Sequence, residues 1–119
     1  MVIGFTGHRD KLCKGETLHF FAEHMPDSIW VHGGAVGFDN QVKTVAELNG
    51  KTTENGLQIV VRPDYQAHSP KQAPILRNFV IVDMCNLLIA FYDGRQSGGT
   101  FSAISYARAK QKPVIILRA

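Results

Sequence analysis

Apolar positions along this chain alternate between short unbroken runs and sets at helical spacing. Residues 2–6 are apolar and partly β-branched and stop at Gly7, which predicts a buried strand. Leu18, Phe21, Ala22 and Met25 then recur at i, i+3, i+4 and i+7, a helix face closed by Pro26. Residues 28–32 form a second strand running into Gly33-Gly34. Phe38, Val42, Val45 and Ala46 restore helical spacing until Asn49-Gly50 stops it. Residues 51–56 read as a polar turn, 57–62 as a third strand halted by Pro63, and 64–74 as a proline-bearing loop.

The next stretch fits two patterns. Phe79-Val80-Ile81-Val82 has strand propensity, yet Leu76, Phe79, Val80 and Asp83 keep helical spacing, and 86–92 is the better strand. A helix over 75–84 is therefore expected. Gly98-Gly99-Thr100 opens a last helix to about Lys110, with Phe101, Ile104 and Ala107 inward, and 113–117 closes the chain as a strand. Strands alternating with helices predict a doubly wound α/β fold with a Rossmann-like parallel sheet of five strands. Right-handed crossovers favour the order 3-2-1-4-5, with a switch point between the first and fourth strands.

The chain has 119 residues, enough for one core, so a single domain over 1–119 is expected. Its 45% hydrophobic and 19% charged residues exclude a disordered or fibrous chain. No apolar run reaches the roughly 20 residues of a membrane-spanning helix. No basic segment or cleavage site precedes the first strand, and the expectation is a cytoplasmic protein without a membrane partner. Cys13 and Cys85 stand far apart and read as reduced structural thiols. The net charge of +3 comes from basic residues spread along the chain, which suits an anionic small molecule at least as well as a polymer.

The strand ends carry the candidate chemistry. Gly7-His8-Arg9 follows the first strand, Gly33-Gly34-Ala35-Val36-Gly37-Phe38-Asp39 the second, and Asp93 to Thr100 the fourth. Glycines at such turns let backbone approach a ligand, and the helix N-termini behind them offer free N–H groups and a positive dipole end. Together with Arg9, these turns describe a phosphate cradle. Asp39 either caps or braces its helix or meets a ribose hydroxyl. Arg77 is either part of a solvated first turn or a bidentate phosphate donor. His8 and His32 end neighbouring strands and could meet, but no third ligand for a metal is placed, and no motif calls for a cofactor.

Four motifs occur here in order: Phe5-Thr6-Gly7-His8-Arg9, His32-Gly33-Gly34-Ala35-Val36-Gly37-Phe38-Asp39, Leu76-Arg77-Asn78 with Val82-Asp83, and Gly98-Gly99-Thr100. In that order and context the chain resembles the SLOG superfamily (Smf/DprA proteins and the LOG phosphoribohydrolases), and within it the YpsA-like branch, from Val2 to Leu117. The resemblance implies a Rossmann-like fold that binds a nucleotide or nucleotide-derived ligand, often as a homodimer. The positions it implies for ligand contact are Gly7, Arg9, Gly33, Gly34, Asp39, Arg77, Gly98, Gly99 and Thr100; His8, Gly37, Asn78 and Asp93 are further ligand-binding candidates of the same segments. The chain departs from the pattern twice. The segment before Arg77 is short for a YpsA-like protein. The glutamate of the LOG motif PGGxGTxxE falls at Ala103, after Ser102, so LOG-type cleavage is not carried over with the motif. An N-glycosidase using Asp39, Asp83 or Asp93 instead is the enzymatic alternative. A DprA-like single-stranded DNA binder is disfavoured, because aromatics are not interleaved with Lys and Arg.

Overall fold

The computed structural model describes residues 1–119. The first apolar run forms β1 (Val2–Gly7), followed by α1 (Gly15–His24), β2 (Ile29–His32), α2 (Phe38–Leu48) and β3 (Gln58–Val60). The second half supplies α3 (Ala73–Met84), β4 (Leu87–Tyr92), α4 (Gly99–Ala109) and β5 (Val114–Arg118). All four strand pairings are parallel, and the sheet order is β3-β2-β1-β4-β5. The fold is the expected Rossmann-like α/β sheet, with β1 and β4 flanking the switch point.

Both faces of the sheet are covered, which explains why its central strands are apolar in both directions. On one face Ile3, Phe5, Trp30 and Phe91 pack with Leu18 and Phe21 of α1 and Phe38, Val42 and Val45 of α2. Phe38 stacks on Phe91, with ring centroids 5.4 Å apart, and so locks the start of α2 to the end of β4. On the other face Leu88 packs with Val82, Cys85, Ala103 and Ala107 of the α3–α4 pair. Both cysteines are free thiols; Cys85 is buried and Cys13 half-buried. No helix is long and apolar enough to cross a membrane.

Four details correct the sequence reading. Pro74 belongs to α3, not to the loop before it: it sits in the first turn, where its missing N–H is not needed. Strand β3 has three residues instead of six, because it lies at the sheet edge with Pro63 close behind. In α4 the buried positions are Thr100, Ala103, Ile104 and Ala107, and Phe101 is only half-buried, because a helix starting at Gly99 turns Thr100 inward instead. Lys51, read as part of a polar turn, is 1% exposed. Its Nζ donates to the carbonyls of Pro26 at 2.8 Å and Ser28 at 2.5 Å and lies 5.9 Å from the Trp30 ring. Burial lowers its pKa.

Candidate functional site

The carboxyl ends of β1, β2 and β4 deliver three loops to one cavity of about 260 Å³. Thr6, Gly7, His8, Arg9 and Asp10 come from the first, Ala35 and Asp39 from the second, and Arg95, Ser97, Gly98, Gly99 and Thr100 from the third. Pro74, Arg77 and Asn78 of α3 complete the wall. Of the residues expected at a ligand, Gly7, His8, Arg9, Asp39, Arg77, Asn78, Gly98, Gly99 and Thr100 therefore share one cavity. Gly33, Gly34, Gly37 and Asp93 do not line it. Gly33 packs under Arg77, Gly37 against the Arg9 backbone, and Asp93 binds Arg95, all of which line it.

Gly33 makes room for Arg77. A side-chain carbon at Gly33 would overlap the Arg77 guanidinium. Arg77 is 7% exposed, and its Nη1 donates to the Gly33 carbonyl at 2.8 Å while its Nε donates to Asn78 Oδ1 at 2.8 Å. Two of its donors are thus used inside the protein, which corrects the picture of a solvated first turn. Because a guanidinium can only donate, the Asn78 amide must turn its oxygen to Arg77 and its Nδ2 away. That Nδ2 lies beside Gly99, 2.9 Å from where a side-chain carbon at that glycine would stand.

Gly98 caps α4 at φ 93° and ψ −179°, backbone that only glycine adopts freely. No side chain caps this helix. Its first-turn N–H groups and positive dipole end therefore meet the same space as Asn78 Nδ2. Arg9, in the facing loop, enters no ion pair of the protein. That loop is tied to α2 by Gln41, whose Oε1 accepts from Cys13 N at 3.0 Å and whose Nε2 donates to Cys13 O at 2.5 Å.

Asp39 sits in the first turn of α2 and is 7% exposed. Its Oδ2 accepts from Ala35 N at 3.3 Å, whereas its buried Oδ1 has no partner. Burial raises its pKa, against the opposing pull of His32 and Arg77. Asp39 thus braces the turn through Oδ2, while Oδ1 is enclosed by the protein.

His8 and His32 do not meet; each closes a loop of its own. His32 Nδ1 accepts from Gly34 N at 3.0 Å and its Nε2 pairs with Gln58 Oε1 at 2.7 Å, which fixes a neutral ring with the proton on Nε2. His8 Nε2 accepts the Asp93 N–H at 3.1 Å, so its equal separation from Asp93 Oδ1 is no ion pair while the ring is neutral. Burial lowers both imidazole pKa values. Asp93 instead grips Arg95, at 2.6 Å from Nη2, and that guanidinium holds its carboxyl well below the usual range. Asp10, 3.5 Å from Arg95, completes the cluster.

Sequence reasoning missed Thr6, Asp10, Ala35, Pro74, Arg95 and Ser97 in the lining. Asp10 and Arg95 carried no local signal, because only the β1–β4 pairing brings their loops together. Ala103, the position aligned with the LOG glutamate, is fully buried in the α3–α4 cluster and does not face the cavity. No protein-family model and no curated protein matches this chain.

Proposed function

We propose that the protein binds a nucleotide or nucleotide-derived ligand at the carboxyl ends of its strands and acts as a SLOG-like binding or sensing domain. One observation carries this reading: the uncapped first turn of α4, Asn78 and the unpaired Arg9 converge on one cavity, which Asp39 also lines. Donors grouped at a helix N-terminus suit phosphate oxygens. Binding at the switch point of a doubly wound sheet agrees with the general placement of ligands in such folds.

Asp39 also supports a second reading, a nucleoside 5′-monophosphate N-glycosidase, since a buried carboxylate in the cavity is the group such chemistry needs. Single-stranded DNA binding draws no support from the cavity, whose lining holds no Phe, Tyr or Trp for a base to stack on.

The test is thermal unfolding with a panel of mono-, di-, cyclic and dinucleotides. A ligand at 100 times its Kd adds about 2.7 kcal/mol of stability and raises Tm accordingly. No shift across the panel refutes the nucleotide reading. Release of free base from a nucleoside monophosphate promotes the second.

A further inference from the structure

A second recess lies on the other side of the loop between β1 and α1. Arg9 and Asp10 of that loop line the cavity, whereas Leu12, Cys13 and Lys14 line this groove, and the two share no residue. The groove encloses about 430 Å³, within the roughly 300–1,000 Å³ of small-molecule pockets, and hydrophobic residues supply most of its lining.

The groove originates in the edge of the sheet. Val114 of β5 packs on the α3–α4 pair. Side chains alternate along a strand, so Ile115 and Leu117 turn to the opposite face, where α1 and α2 cover the central strands. Leu117 reaches that core and stays half-buried, and Ile115 is 38% exposed. A trough thus remains along Phe91 and Leu117, with Leu12, itself 68% exposed, as part of its wall.

The rim carries charge of one sign. Lys14 and Arg118 are exposed, neither enters an ion pair, and no Asp or Glu side chain lines the groove. With the α-carboxylate of Ala119 counted against them, the balance is still positive. A neutral apolar ligand would leave these cations unused, and a small hydrophilic anion would leave the trough wet. The complementary molecule has an apolar body and one anionic end.

We infer that this groove binds a small apolar carboxylate, with its hydrocarbon part on Phe91, Leu117 and Leu12 and its carboxylate beside Lys14 and Arg118. The inference is independent of the nucleotide reading.

Cys13 provides the readout. Gln41 holds its backbone on both sides, and the residue is half-buried in the groove lining, whereas Cys85 is 1% exposed in the core. The experiment is the rate of Cys13 alkylation by iodoacetamide on the full chain with octanoate, octanol or acetate, with Cys13→Ser to show that the label sits on this thiol. Octanoate is expected to slow labelling at about threefold lower concentration than octanol, the scale of an exposed ion pair. Acetate should need at least about tenfold more than octanoate, since it buries almost no hydrocarbon. Lys14→Ala combined with Arg118→Ala should bring octanoate to the level of octanol. No protection by octanoate overturns the inference. Equal protection by octanol or by acetate, or undiminished octanoate binding in the double variant, overturns it too. Labelling that slows with protein concentration and not with octanoate assigns the groove to a second copy of this chain instead.

Discussion

Arg77 Nη1 donates to the carbonyl of Gly33 across 2.8 Å, joining α3 to the turn after β2 over 44 positions of sequence. The same guanidinium orients Asn78, so one side chain fixes both a backbone turn and a donor in the cavity. A phosphate contact through its remaining donors adds to this role and does not replace it.

Arg77→Ala should therefore reduce stability as well as binding. Losing a charged hydrogen bond and leaving the Gly33 carbonyl buried costs about 1.5–3 kcal/mol. Arg77→Lys should not rescue it, since an ammonium lacks the rigid fork that reaches both acceptors. Urea unfolding measures this directly. A midpoint unchanged from the parent protein would assign Arg77 to the ligand alone. Gly33→Ala should mimic the loss, because its methyl group takes the space of the guanidinium.

Acidification should destabilise the protein through its buried imidazoles. Burial lowers the folded pKa of His8 and His32, whereas an unfolded imidazole takes up its proton near about 6.5. From neutral pH downward the unfolded chain binds more protons, so stability falls, and the loss levels off below the folded pKa values. Asp39 acts with the opposite sign: its raised pKa means the folded state takes up that proton first, which returns stability at lower pH. His32→Asn should flatten the fall between pH 7.5 and 6, measured as unfolding free energy. An identical slope in the variant would contradict the assignment, as would a parent protein that gains stability on acidification in that range.

Much of this site was legible because parallel α/β sheets place their loops by a rule. Gly7, Arg9, Asp39 and Gly98-Gly99-Thr100 could be assembled from strand order alone, since the order follows from crossover handedness, whereas Asn78 of α3 could not. What a glycine does at a strand end was not legible. Gly33 serves packing under Arg77, and Gly34 and Gly37 shape the turn at positive φ, yet all three carry the same sequence signal as Gly99. The roles of Lys51, Asp93 and Arg95 were also hidden, because each depends on partners that only tertiary contacts supply. Pattern distinguishes a polar residue from an apolar one, but not a solvated cation from a buried one that donates to two backbone carbonyls.

Catalysis of the LOG type should be absent and not restorable at the aligned position. Ala103 has no exposure and touches the core instead of the cavity. Ala103→Glu should cost about 3–5 kcal/mol, the order of an uncompensated buried charge, and yield no enzyme. Chromatography after long incubation of the parent protein with nucleoside monophosphates should detect no free base. Turnover abolished by Asp39→Asn would reverse that expectation and make Asp39 the reacting carboxylate.

A phosphate-bearing ligand is proposed to dock where α4 begins. Titration of isotopically labelled protein with AMP, followed by amide proton–nitrogen NMR, tests it most directly. The largest shifts should fall on the Gly99 and Thr100 amides and the Asn78 side-chain NH2. Shifts gathered instead around the apolar groove of Leu12, Phe91 and Ile116, or no shifts at all, would contradict it.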